Sequence, residues 1–215
     1  MIFADRRDAG RALAQALRER ANVEYPIVLG LPRGGVPVAY EVACDLHLPL
    51  DVFIVRKLGV PGEEELAMGA VASGGIVVLN EQVLRLFSIR QETLDAVIAR
   101  EVQEIARRES LYRSGHAPAD LHGRNCILVD DGLATGATMR AAIRALRPVA
   151  ARIIASVPVA AASTCEQIGH EVDQFLSLQC PESFCAVGEF YRNFEPTTDD
   201  EVRHLLAASH ERPTP

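Results

Sequence analysis

Apolar residues recur along this chain with two periods. Over residues 8–21 (DAGRALAQALRERA) they return at helical spacing, with Leu13, Ala14 and Leu17 on one side. The run YPIVLGL (25–31) is too short and too continuously apolar for an amphipathic helix, and PRGG closes it. It predicts a buried strand feeding a glycine-rich turn. VPVAYEVACDLH (36–47) then predicts a helix and LDVFIVRKLG (50–59) a second buried strand. Residues 66–80 predict two short strands around the Gly74-Gly75 turn.

Helical spacing resumes over 81–113 in two pieces separated near Ser88. Leu94, Val97, Ile98, Val102 and Ile105 form the stripe of the longer piece. A polar link (114–125) leads into the strand CILVDD (126–131). A helix over 139–148, a strand over 151–159, a helix over 163–170 and a strand over 172–178 follow, and then a polar helix near 199–208 capped by Thr198 or Asp199. Alternation of this kind implies an α/β fold: a doubly wound, mostly parallel sheet with helices on both faces, and ligands at the carboxyl ends of its strands. We read one domain over 1–215, with a lid region at 58–80 and a small C-terminal hood and tail at 181–215.

The richest stretch is CILVDDGLATGAT (126–138). Two carboxylates, Asp130 and Asp131, end an apolar strand, and a loop of Gly, Ala and Thr opens the next helix. A helix start offers unpaired N–H groups and a positive dipole end, which suit a phosphate. Ala134, Gly136 and Ala137 leave room for one, and Thr135 and Thr138 can donate to it. Adjacent carboxylates accept from a vicinal diol, so the stretch reads as a ribose 5-phosphate site. A tight strand–helix turn with incidental acids is the bland alternative. Three rivals fail: no G-x-x-x-x-G-K-[ST] is present, no lysine follows the acidic pair as a receiver domain needs, and GLPRGG does not supply G-x-G-x-x-G.

With these residues in view, the chain resembles the type I phosphoribosyltransferases. Apolar strand, Asp-Asp and Thr-Gly loop look like their phosphoribosyl-pyrophosphate (PRPP) signature. GLPRGGVPVA (30–39) resembles their pyrophosphate loop, and VRKLG (55–59) their basic strand end, and the likeness covers about residues 25–180. The resemblance implies that Asp130 and Asp131 hold the ribose hydroxyls with Mg2+ nearby, directly or through water. It implies that Ala134, Thr135, Gly136, Ala137 and Thr138 hold the 5-phosphate. Arg33, Gly34, Gly35, Arg56 and Lys57 would hold the pyrophosphate. Asp130, Asp131, Arg33 and Lys57 would be the catalytic set.

Within the family, hypoxanthine- and guanine-type members place an Asp where this chain has Ala134, and LPRGG is unlike the adenine-type pyrophosphate loop. The expected reaction is therefore Mg2+-dependent transfer from PRPP to a nitrogenous, heterocyclic acceptor of open identity, with release of pyrophosphate. The alternatives are a non-catalytic PRPP or nucleotide sensor, and a phosphorolytic or hydrolytic enzyme acting on ribose phosphates. Family analogy implies a homodimer.

In the family a mobile loop closes over the site, and 58–70 occupies its place, with Gly59, Pro61 and Gly62 as hinges. The glutamates at 63–65 read as a solvated face, a helix start, or part of a metal or amine site, with Glu65 the candidate. The segment 181–195 holds Phe184, Phe190, Tyr191 and Phe194, which would either stack on a flat base or plug the sheet edge.

Composition narrows the partners. A net charge of −7 argues against a nucleic-acid binder. Any anionic ligand must then be met by a few placed cations, and Lys57 is the only lysine among 22 basic residues. The absence of a long apolar run and of a secretory start leads us to expect a cytoplasmic protein without membrane contact. Five cysteines lie at 44, 126, 165, 180 and 185. Cys44 and Cys126 fall in apolar patterns and read as buried thiols, and the C-x4-C spacing of Cys180 and Cys185 is poor for zinc.

Overall fold

The structure is a computed structural model that describes residues 2–20, 24 and 26–211, apart from the side chains of Glu64 and Glu65. The chain runs through α1 (Arg6–Arg20), β1 (Ile27–Gly30), α2 (Gly35–Leu46) and β2 (Leu50–Val52). It continues with β3 (Val55–Val60), β4 (Glu63–Ala72), β5 (Ile76–Leu79), α3 (Glu81–Leu86) and α4 (Gln91–Arg113). Then come β6 (Asn125–Val129), α5 (Ala137–Leu146), β7 (Arg152–Val159), α6 (Ala162–Glu171), β8 (Gln174–Gln179) and α7 (Asp199–His210).

Five strands form a parallel sheet in the order β2-β1-β6-β7-β8. Strand alternation sends neighbouring side chains to opposite faces. Val28, Ile127 and Val129 pack with α1, α2, α4 and α7, while Ile27, Leu29, Cys126 and Leu128 pack with α5 and α6. Both faces are covered, which is why these strands read as unbroken apolar runs. From β1 the chain passes through α2 to β2 on one side; from β6 it passes through α5 and α6 to β7 and β8 on the other. The order therefore reverses between β1 and β6, and doubly wound sheets open their ligand crevice at such a switch point.

The sequence expectation for 50–59 needs correction. It is two strands: β2 ends at Val52, and β3 begins a separate antiparallel sheet, β3-β4-β5. Phe53 and Ile54, between them, are fully buried, so hydrophobicity carries no mark of the change of sheet. The lid region is this second sheet. Its β3–β4 hairpin turns at Pro61-Gly62, and Leu58, Val60 and Met68 are buried against the main core. Glu63, at the turn, is exposed. The candidate Glu65 side chain lies outside the described residues.

Other expectations need small shifts. The stripe on α4 buries Leu94 and Ile105, but Val102 is turned to the surface. The helix expected from 139 starts at Ala137, and Thr198 is the cap of α7, its side chain accepting from Glu201 N. Cys165 and Cys180 are joined in a disulfide that ties α6 to the end of β8, which the spacing did not suggest. Cys126 is a buried free thiol, as expected; Cys44 is half-buried and Cys185 exposed. No helix among the described residues is long and apolar enough to cross a membrane.

Candidate functional site: two loops at the switch point

The loops after β1 and β6 meet at the carboxyl ends of adjacent strands. Leu31 N donates to Val129 O, and Gly35 N to Leu31 O, so the first loop turns directly over the end of β6. The Pro32–Arg33 peptide is cis. Both glycines are required by this approach. A Cβ on Gly34 would overlap the Asp131 carboxylate, and one on Gly35 would lie 2.6 Å from Val129 O and 2.8 Å from Asp130 Cα. Gly34 has ordinary helical angles (φ −59°, ψ −32°), so its side chain is excluded by the carboxylate and not by its own backbone.

Asp130 and Asp131 are half-buried side by side, and Asp130 Oδ1 accepts from Asp131 N at 2.9 Å. Burial raises the Asp130 pKa well above the ordinary carboxylate value, and the neighbouring Asp131 charge raises it further. Burial raises Asp131 as well, opposed by its hydrogen bond and charge contact with Arg6. Two carboxylates this close repel one another when both are charged, so a cation or hydrogen-bond donor at the pair favours their ionised forms.

The second loop leads from the carboxylates into α5. Gly136, at φ 68°, makes the turn into the helix, and a Cβ there would press on Thr164. Ala134, Thr135, Ala137 and Thr138 are exposed along the loop. The loop is braced from behind by α6: Thr164 Oγ1 donates to Ala134 O at 2.6 Å. Arg140 reaches from α5 to Thr135 O at 2.7 Å and to Gln167 Oε1 at 2.9 Å.

Of the predicted cations, Arg33 is half-exposed beside the crevice, 3.8 Å from Asp199 Oδ1, which also accepts the Tyr112 hydroxyl at 2.7 Å. Burial and that hydrogen bond push Tyr112 up to about 12. Arg56 and Lys57 point to opposite faces of β3 because successive strand residues alternate. Arg56 pairs with Glu101 on α4 at 2.7 Å, on the face of Leu58 and Val71. Lys57 is exposed on the face of Val55, which packs toward α5. The two adjacent cations are therefore not brought together.

Arg6 joins the site from outside the residues that the sequence singled out. Its Nε donates to Asp131 Oδ2 at 2.8 Å, from 125 residues away in the chain. The aromatic hood is largely satisfied by itself: Phe184 stacks on Phe190, and Tyr191 on Phe194. Phe194 also carries the Arg6 guanidinium at 3.8 Å. The Tyr191 hydroxyl donates to Asp131 O at 2.5 Å, and burial raises its pKa. Between hood and loops lies a cleft of about 410 Å3 lined by Arg6, Arg33, Gly34, Asp131, Val187 and Phe194.

No group of three or more His, Cys, Asp or Glu side chains converges as a metal cage among the described residues. Two carboxylates at the mouth of a crevice do fit Mg2+, which is held by one or two carboxylates and takes its other oxygens from water and substrate phosphates.

Comparison with known proteins agrees with this geometry. The chain is 44% identical over 210 residues to a Mycobacterium tuberculosis protein provisionally named a phosphoribosyl transferase, covering 97% of this chain and 47% of that one. The chain thus spans about half the length of the curated relative it matches. A crystal structure of TT1426 from Thermus thermophilus superposes with a TM-score of 0.88 at 42% identity, covering 97% of this chain and 99% of that one. A Neisseria gonorrhoeae protein, at 16% identity and a TM-score of 0.50 over 96% of each chain, shares the fold alone. Residues 3–193 match the family described as the phosphoribosyl transferase domain, and the chain belongs to that family.

Proposed function

We propose that this protein binds PRPP with Mg2+ and transfers its phosphoribosyl group to a nitrogen nucleophile. The observation that carries this reading is the seating of Gly34 and Gly35 directly on Asp131 and Asp130 at the sheet's switch point. A pyrophosphate loop and a ribose-binding acidic pair thereby share one crevice. In the reaction the bond from C1 of the ribose to the pyrophosphate oxygen breaks, with the electron pair leaving on that oxygen. A bond from the acceptor nitrogen to C1 forms, and the acceptor's proton passes to solvent.

Each element then has a task. The loop 134–138 takes the 5-phosphate at the start of α5. Asp130 and Asp131 accept from the ribose hydroxyls, and their negative charge favours the oxocarbenium character at C1. The same two carboxylates would hold Mg2+, which would supply charge neutralisation for the leaving group. Arg33 and the backbone of Gly34 face the departing pyrophosphate, Gly35 leaving room for the loop's close approach while its N–H stays on Leu31 O, with Lys57 the further cation on the α5 side. The acceptor belongs in the cleft under the hood, where Phe194 is already taken up by Tyr191 and Arg6. That ring is therefore not free to stack on a base.

The test is calorimetric titration of PRPP with and without Mg2+, on the native protein and on an Asp130→Asn/Asp131→Asn variant, followed by pyrophosphate release with a panel of bases. Mg2+-dependent binding that the variant loses supports the site, and release with a base supports transfer. Binding without release for any acceptor favours a sensor; a folded native protein that does not bind PRPP refutes the proposal.

A further inference from the structure

Arg6, the first residue of α1, makes three contacts at once. Nε donates to Asp131 Oδ2 at 2.8 Å, Nη1 donates to Glu195 O at 2.7 Å, and the guanidinium lies 3.8 Å from the centre of the Phe194 ring. The side chains of Arg6 and Asp131 are only 12% and 15% exposed, so this pair is largely shielded from the screening that makes surface ion pairs weak.

The segment around Arg6 is bound to the hood as well. Phe3 N donates to Phe190 O, Arg192 N to Phe3 O and Asn193 N to Ala4 O, all within 3.0 Å. Tyr191 holds the main chain of Asp131 from the same hood. One planar side chain thus spans from the ribose-binding carboxylate to the hood backbone. It sets the carboxylate on the side of Gly34, where there is no room for a Cβ. A guanidinium can serve two acceptors and a ring together because its donors are fixed in one plane with the face left free; an ammonium is a point charge on a flexible stem and does not fix that geometry. An arginine that only fastened the hood would be satisfied by Glu195 O and Phe194, and would leave the carboxylate free to turn.

We propose that Arg6 is a positioning residue for PRPP: it holds the Asp131 carboxylate in the orientation that accepts the ribose hydroxyls, and makes that orientation depend on the seated hood. The ribose subsite and the acceptor cleft are then coupled through one side chain. This rests on the PRPP reading above.

The test is titration of Mg2+–PRPP into the native protein, Arg6→Ala, Arg6→Lys, Phe194→Ala and the Arg6→Ala/Phe194→Ala double variant, with guanidinium ion added at millimolar concentration as a chemical rescue. Loss of a charge-assisted hydrogen bond predicts affinity weaker by about tenfold to a hundredfold in Arg6→Ala. Guanidinium should restore part of that loss while leaving the native protein unaffected. Arg6→Lys should stay weaker than native, and the Arg6/Phe194 double variant should be non-additive.

Several results overturn the idea. Arg6→Ala binding within twofold of native does so, as does a loss that guanidinium does not rescue, which would mark a merely structural role. Should Arg6→Ala fail to fold, Arg6→Lys decides: native-like affinity overturns the proposal, and a clear loss in a folded protein supports it. A native protein that binds no PRPP fails the function itself; native binding with an indifferent Arg6 fails only this inference.

Discussion

The pair Gly34→Ala and Gly35→Ala separates the site's binding geometry from its folding. At Gly34 the backbone already has helical angles, so alanine costs nothing in φ and gains up to about 1 kcal/mol by restricting the unfolded chain. Its Cβ, however, overlaps Asp131 Oδ2 and comes within 2.8 Å of Asp131 Cγ. The carboxylate can retreat by turning, and turning breaks its 2.8 Å bond to Arg6. A charge-assisted hydrogen bond contributes about 1.5–3 kcal/mol, so Mg2+–PRPP affinity should fall by about tenfold to a hundredfold, and Tm should fall by only a few degrees because the restricted unfolded chain offsets part of the lost bond.

Gly35 meets main-chain atoms, Val129 O and Asp130 Cα, which cannot turn aside. Overpacking of that kind costs about 1–3 kcal/mol, and in a chain of this size each kcal/mol moves Tm by roughly 2–4 °C. Gly35→Ala should therefore melt about 2–12 °C lower, with binding lost as well. Calorimetric melting and titration on the same samples read both quantities. Gly34→Ala that binds within twofold of native, or Gly35→Ala that melts with the native protein, refutes the packing of loop on carboxylates.

Three further outcomes are expected. The raised pKa of Asp130 means that the folded form binds its proton more tightly than the unfolded chain does. Stability is thus lost as pH rises from near 3.8 through the folded value. Asp130→Asn should then melt a few degrees higher than native at alkaline pH, on the order of 1 kcal/mol, with no gain at acid pH, and should lose Mg2+–PRPP binding; equal melting at every pH would contradict the shift. Reduction of Cys165–Cys180, or its replacement by serines, opens a loop of sequence separation 15. About 3 kcal/mol should be lost, read as a fall in Tm on adding a phosphine reductant to the native protein but not to the serine variant. Arg113→Met leaves the buried Asp51 without its 2.9 Å partner, and stability measured in urea should drop by about 3–5 kcal/mol.

The site residues legible in the sequence are those whose chemistry is contiguous. Asp130, Asp131 and the 134–138 loop sit within one strand–loop–helix turn, so spacing alone exposes the carboxylates and the small residues beside a helix start. PRGG, closing β1, is legible for the same reason. The alternation of elements also shows through, because strands buried on both faces must be apolar throughout and the helices between them must be amphipathic.

What chain-local patterns could not contain was decided by tertiary structure. The run at 50–54 is buried throughout, from β2 into the link before β3, so only strand pairing reveals that β3 leaves the first sheet. Arg56 and Lys57 are adjacent in sequence, yet pleating sends them to opposite faces and gives Arg56 a partner on α4. Cys165 and Cys180 meet only because α6 packs back beside β8. Arg6 looks like any arginine at the start of a polar helix. It gains its meaning when α1 is laid against the hood and a carboxylate 125 residues away is left half-buried beside a second one. Local steric and hydrophobic preferences act over a few residues and determine the elements and their loops. Burial and charge pairing act through space, and they determine which of those residues meet.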